Sequence, residues 1–354
     1  MSRLHHIIKL LRDQRGGAAI LFVLCLPVLL GFAALAVDVA RLNLTKVELQ
    51  NAADAAALGG VHSLCDPTSS PSNQPYNWTD AYNTAKQVAQ SNIANGALIQ
   101  DVTIKMGYWN LITPSLGLRP YTTIPGAGDV FAVSVTIAIS STKNNGPLKL
   151  FFAPILGIAN SNIEASAIAV LPAPAAGTGM FPVVINMAMF THWWDTSTNK
   201  PKLDPATGNP YIFYIGNAAA NKYFGTSAGY WTTFGSVNHD SPTVIGLFTT
   251  GNTTSLGIGD LTYLPSGVKT DIYSSVPTNK DVAVYVVNSI VSNSWQPIVA
   301  IAGLHVVGTS NHYGNGSNQT IEAQFLNNVY AGGTNPGSGN GLPLGAYSPP
   351  ILVQ

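Results

Sequence analysis

The chain has 354 residues, a formal net charge of zero and only 9% charged side chains, against a usual share of about a quarter. No basic stripe exists beyond the first residues, which excludes an electrostatic footprint for nucleic acid. Aliphatic and aromatic residues remain abundant, which excludes a disordered chain, and the length suits one anchor plus one or two domains with real cores.

A basic head, residues 1–17 with Arg3, Lys9, Arg12 and Arg15, meets an uncharged run from Ala18 to Val37. Those twenty residues reach about 30 Å as a helix, enough to cross a bilayer core. The basic side stays in the cytoplasm by the positive-inside rule, so the remainder is expected on the far side of the membrane. A cleaved signal peptide is the competing reading, and Ala34-Leu35-Ala36 offers it a cut site. The run exceeds the roughly 7–15 apolar residues of such peptides. Helical spacing also continues through Val39, Leu42, Leu49, Ala53 and Ala56 to a stop at Gly59-Gly60. A retained anchor is therefore the favoured reading, with one helix over about 20–58 that Pro27 is free to kink. Gly31, Ala33, Ala34 and Ala36 are small enough to let another membrane helix approach closely. Asp38 and Arg41 read as interfacial anchors. Leu24 is the wrong residue before a lipoprotein cysteine, so Cys25 reads as a packing or lipid-facing thiol. Cys65 is the lone cysteine of the outer part, which leaves a bond between two chains as its one disulfide option.

Residues 64–79 read as a loop rich in turn formers, including Pro67, Pro71, Asn73 and Pro75. A helix follows, capped by Thr79 or Asp80, with Ala81, Ala85, Val88, Ala89 and Ile93 on one face and a stop at Asn95-Gly96. Strands are expected at Val102–Tyr108, Val130–Ile139 and Ile163–Leu171. Between the last two, Leu148–Leu156 reads as an apolar segment interrupted at Pro154.

Pro172–Gly179 reads as a linker or an exposed crossing, after which the pattern is nearly all β. Expected strands are Phe181–Phe190, Tyr211–Ile215, Tyr230–Phe234, Thr243–Phe248, Val282–Val291, Ile298–Val307 and Thr320–Leu326. Residues 331–341 read as a glycine-rich loop or tail. The fold class expected is α+β: a long N-terminal transmembrane helix, a small α+β unit, and a β-rich, sandwich-like extracytoplasmic domain. The domain divisions are 1–17 for the head, 18–60 for the transmembrane helix and its extension, 61–172 for the α+β region, and 180–354 for the outer domain.

Several segments together carry a family resemblance. They are Arg15-Gly16-Gly17 before the apolar run, Leu26-Pro27-Val28-Leu29 within it, and Val37-Asp38-Val39-Ala40-Arg41 at its end. Leu49 to Leu58 (LQNAADAAAL), Phe151 to Ile158 (FFAPILGI) and Ile163 to Ala169 (IEASAIA) complete the set. In that order, over residues 15–171, they resemble TadG-like proteins, the TadE/TadG-type components of bacterial Flp (tight adherence) pilus assembly. Arg15-Gly16-Gly17 also resembles a type IV prepilin processing site, but Leu21 or Phe22 stands where that site needs Glu. The TadG-like resemblance implies a single-pass inner-membrane protein with a periplasmic domain. Its expected partners are the lipid bilayer, other pilus-assembly membrane subunits, and pilus or outer-membrane components. It implies no catalytic residue, no cofactor and no metal.

Candidate chemistry in the outer part is sparse. His192-Trp193-Trp194-Asp195 combines stacking rings with a possible ligand pair, and makes a candidate binding face for a secreted or surface-displayed adhesin that takes a glycan or a host surface. The plainer reading is a strand end with a tryptophan in the core. Asp195-Thr196-Ser197-Thr198-Asn199 resembles the metal loop of von Willebrand A-type domains, but it ends in Asn and no α/β alternation follows, so turn chemistry explains it better. A hydrolytic metal at His192, Asp195 and His239 ranks last, because no H-x-x-x-H or C-x-x-C pair exists. His305 and His312 are isolated. Trp231, Tyr263, Trp295 and Tyr313 are either a binding face or core. No G-x-S-x-G elbow and no P-loop occurs, so an enzyme is not expected.

Overall fold

A computed structural model describes residues 15–64, 76–196, 198–216, 222–223, 226–266, 270–310, 320–327, 329–331, 334–336 and 344–353. Residues 1–14 of the basic head, Cys65 with most of the 64–79 loop, His312, Tyr313 and most of 331–341 lie outside the described residues.

In chain order the principal elements are helix α1 (Arg15–Ser63), helix α2 (Trp78–Gln90), and strands β1 (Thr103–Asn110), β2 (Arg119–Pro120), β3 (Asp129–Ile139) and β4 (Ile163–Leu171). Then come β5 (Val183–Asn186), helix α3 (Ala188–Trp193), β6 (Ile212–Ile215), β7 (Gly229–Trp231), helix α4 (Ser241–Thr250) and β8 (Leu261–Leu264). The last are β9 (Lys280–Val287), β10 (Ser294–Ser310), β11 (Thr320–Phe325) and β12 (Ile351–Leu352). The class is α+β, with one long apolar helix and several sheets. Contacts divide the chain into two units, 1–52 with 90–102 and 136–165, and 53–89 with 103–135 and 166–354.

The first unit holds the apolar part of α1. From Leu21 to Phe32 the large side chains stand exposed all round the helix, and Pro27 sits inside it without ending it. A helix apolar on every face has no water-facing side and is covered by lipid or by protein. The short hairpin Ile93–Ala94 with Ala97–Leu98 turns at Asn95 and Gly96, both at positive φ (50° and 76°), as a type I′ turn requires. Asn144 serves as a local bracket. Its carbonyl oxygen accepts the N–H groups of Gln100 and Asp101, and its amide donates to the carbonyls of Asp101 and Ala138, which fills its hydrogen-bonding capacity. Leu148–Lys149 pairs with Asn160–Ser161, and the loop between them contains a single 3₁₀ turn, Ala153–Leu156.

In the second unit the end of α1 packs on α2 through small residues. Ala53, Ala56, Ala57 and Gly60 of α1, and Ala81, Ala85 and Ala89 of α2, are all fully or nearly fully buried. A Cβ placed on Gly60 would lie 2.8 Å from the Ala85 Cβ and 3.2 Å from a Val133 methyl, so only glycine permits this approach. One sheet runs β12-β4-β3-β1-β2. The buried Asp129 at the start of β3 is paired with Arg119 and accepts the Asn110 amide at 3.0 Å.

The larger sheet runs β6-β11-β10-β9-β5-β7, with β8 also on β10. It is mixed: β5 runs parallel to β9, and the other pairs are antiparallel. The seventeen-residue β10 serves three partners along its length, with one register shift within its pairing to β9 and another, between Val306 and Gly308, within its pairing to β11. Phe213, Val284, Tyr285, Ile301, Leu304 and Phe325 lie in the core of this sheet.

Two expected strands come out differently. Thr243–Phe248 lies in helix α4, because Asp240 caps it by accepting the Thr243 N–H at 2.8 Å, Pro242 occupies the first turn, and Gly251 (φ 62°) closes it. Those end signals outweigh the β-branched residues between them. Phe181–Phe190 splits into β5 and α3, where the Asn186 side-chain oxygen turns the chain by accepting the Ala188 N–H at 2.9 Å. Pro174–Gly177, inside the expected linker, pairs on one side with Leu256–Gly257 and on the other with Thr334–Pro336.

Asn252 ties that strand to β9. Its side-chain amide lies within hydrogen-bond distance of the carbonyls of Gly177 and Thr254 and of the Tyr285 hydroxyl, whose single proton is shared between the carbonyls of Gly177 at 2.9 Å and Leu256 at 3.2 Å. Burial pushes the Tyr285 phenol up to about 12, although the bonds with Asn252 and Leu256 pull the other way. An unfolded tyrosine ionises near 10. The resulting stabilisation is complete below about pH 10 and is lost as pH rises from about 10 to 12. Near-ultraviolet circular dichroism should show the outer fold loosening across that window. Tyr285→Phe, with no proton to lose, should reduce the loss, and Tyr108, Tyr230 and Tyr273, which burial also raises, should contribute to what remains.

Candidate functional site

The site is built where the apolar run of α1 ends. Asp38 is the first charged residue after Val37, and Arg41 follows one helical turn later on the same side. The Asp38 carboxylate is buried and accepts three consecutive backbone N–H groups: Phe151 at 2.8 Å, Phe152 at 2.8 Å and Ala153 at 2.7 Å. Those donors open the 3₁₀ turn Ala153–Leu156, whose own N-cap residue, Phe152, contributes no side-chain cap. Asp38 thus caps a turn 113 to 115 residues away in sequence. A carboxylate on free N–H groups at the start of a helical turn makes charge-assisted bonds, stronger than neutral ones.

Arg41 completes the clamp. It donates to the Lys149 carbonyl at 2.9 Å and to the Asn95 side-chain oxygen at 3.0 Å, and its guanidinium carbon lies 4.5 Å over the Phe151 ring. Two turns further along α1, Glu48 accepts the Asn95 N–H at 2.8 Å. The helix therefore holds both the 93–98 hairpin and the 148–161 hairpin by side chains spaced along its length. The held loop is apolar and exposed at Phe151, Phe152, Ile155, Leu156 and Ile158. No nucleophile–base pair forms part of this arrangement; it fastens backbone to backbone.

The residues singled out from sequence fall elsewhere. Gly31, Ala33 and Ala36 are exposed on α1 and Ala34 is half-buried. A Cβ on Gly31 would meet nothing within 4 Å. His192 and Trp193 end α3, with Trp193 stacked on Tyr211 and Phe213 at ring distances of 5.9 and 5.7 Å. Trp194 is buried and donates its ring N–H to Asn199, which bonds the Tyr76 hydroxyl. Asp195 accepts the Thr198 hydroxyl at 2.7 Å. The His239 ring contacts its own loop at the Val237 carbonyl, and His305 pairs with Asp281 across β10 and β9 at 2.6 Å. Among the described residues, no three His, Cys, Asp or Glu side chains are grouped to hold a metal ion. Trp231 and Tyr263 are buried and Trp295 is exposed.

Asp38 and Arg41 read from sequence as interfacial charges, and their contacts were missed. The available signal was the pairing of two resemblance segments, Val37–Arg41 and Phe151–Ile158, which the fold joins through hydrogen bonds.

An uncovered apolar helix that continues into a packed α+β module fits a single-pass membrane protein. Residues 16–63 match the family described as putative Flp pilus-assembly TadE/G-like, and residues 59–169 match the family described as putative Tad-like Flp pilus-assembly. The two matches together cover residues 16–169, in the N-terminal part of the chain. No curated protein and no solved structure matches the chain.

Proposed function

We propose that this protein is a membrane-anchored structural component of Flp pilus assembly in the bacterial inner membrane, with its N-terminus in the cytoplasm and its C-terminal domain in the periplasm. The observation that carries the reading is the sequence of environments along α1. After Arg15 its first half is apolar and, from Leu21 to Phe32, uncovered; charge returns at Asp38, and its second half is packed. The unbroken helix through Ala34-Leu35-Ala36 supports a retained anchor. Residues 18–60 act as anchor and extension, 61–172 as the Tad-type module, and 180–354 as the interaction domain. Gly31, Ala33, Ala34 and Ala36 offer a small-residue face to other pilus-assembly membrane subunits. The outer domain meets pilus or outer-membrane components. The work is done by packing, with no catalytic step.

Fractionation with protease accessibility tests this. The full-length chain should sediment with inner membranes and resist alkaline extraction. Protease added to spheroplasts should remove the outer domain and leave a protected N-terminal fragment. A full-length chain recovered in the cytosol overturns the proposal. A mature chain that begins near Val37 favours the secreted adhesin instead.

A further inference from the structure

We infer that the Phe151–Ile158 loop is a second membrane contact, dipping into the outer face of the bilayer beside the anchor helix. The inference rests on the reading of α1 as membrane-spanning. From Leu150 to Ala159 the sequence is LFFAPILGIA, ten residues without one charged or hydrogen-bonding side chain. The loop does not bury what it carries: Ile155 is 85% exposed, Leu156 66% and Phe151 64%. A soluble surface rarely presents so many large apolar side chains together.

The loop's depth is set by its fastening. Three of its N–H groups rest on the carboxylate of Asp38, the residue next to the last one of the apolar run. It is therefore held where α1 leaves the hydrocarbon, at a level of the helix where Leu35, Val37 and Val39 are themselves exposed. The turn is ordered from within: Leu150 N–H donates to Ala159, Ile155 N–H to Phe152, Gly157 N–H to Pro154, and Ile158 N–H to Ala153. Backbone groups satisfied in this way suit a low-water setting. Lys149 stands exposed at the base of the loop, in position to meet lipid phosphates. The continuity with the anchor favours lipid as the occupant over a protein partner.

The full chain, with Cys25→Ser and Cys65→Ser, is given a single cysteine by Ile155→Cys or, separately, by Leu29→Cys. Each carries a polarity-sensitive fluorophore in phosphatidylcholine vesicles. Nitroxide-labelled acyl chains and aqueous iodide serve as opposing quenchers. The label at 155 should be blue-shifted, quenched by the nitroxide lipid and protected from iodide. Lipid quenching at 29 with iodide quenching at 155 overturns the inference and leaves the anchor standing. No lipid quenching at 29 removes the anchor and the inference with it. A label at 155 shielded from both quenchers marks a protein contact and overturns the inference as well.

Discussion

Asp38→Ala should release the Phe151–Ile158 loop from helix α1. Three N–H groups now share one buried carboxylate at 2.7–2.8 Å, and alanine offers them no acceptor. Their amides should exchange with solvent roughly tenfold faster or more, because local opening no longer breaks charge-assisted bonds. Hydrogen exchange read by mass spectrometry on peptides covering 149–158, in detergent or nanodiscs, checks this. Asp38→Asn retains one side-chain carbonyl oxygen and should fall between wild type and alanine. Arg41→Ala should instead loosen Lys149 and Asn95, where the guanidinium donates. Unchanged exchange at 151–153 in Asp38→Ala would show that the carboxylate holds nothing.

Gly60→Leu should cost about 3 kcal/mol of stability, near the upper end of overpacking penalties. The first added carbon alone would sit 2.8 Å from the Ala85 Cβ and 3.1 Å from the Ala81 carbonyl oxygen. The remaining carbons have nowhere to go unless α1 and α2 separate, and separation exposes the alanine seam. Denaturant unfolding of the full chain in micelles, followed by tryptophan fluorescence, measures the loss. Gly31→Leu is the matched control. Nothing lies within 4 Å of its Cβ position, so the same substitution should leave the unfolding midpoint unchanged. An equal loss at both positions would mean that the close approach at Gly60 does not set the effect, since leucine is the better helix former at either site.

Periodicity made much of the local structure legible. The strand read at Ile163–Leu171 has those bounds in the fold, and of the helix face read through Ala81, Ala85, Val88, Ala89 and Ile93 the three alanines are buried, whereas the helix ends at Gln90 and Ile93 stands exposed in the hairpin that follows. The long helix read over about 20–58 runs from Arg15 to Ser63. Where end signals competed with composition, reading by composition failed: Thr243–Phe248 looks β-branched and apolar, yet Asp240 and Pro242 start a helix there. Leu261–Leu264 went unread because four residues are too short for a period to register. The clamp was invisible for a different reason. No local pattern connects Asp38 with Phe151, and their union is made by backbone amides that every residue possesses. The aromatic pair at 193–194 drew notice through residue type alone, and burial of Trp194 depends on partners such as Asn199 that only the fold brings into place.

The 113-residue separation between Asp38 and its first partner also has a consequence in time. At a synthesis rate of about 5–20 residues per second, the partner leaves the ribosome roughly 6–23 s after the carboxylate does. Throughout that interval the nascent chain carries an uncapped carboxylate at the end of the apolar run, which on the proposed topology favours the first helix stopping there. The 151–158 turn closes only later, so its seating is a late event in maturation, after the strand β3 that precedes it has been made.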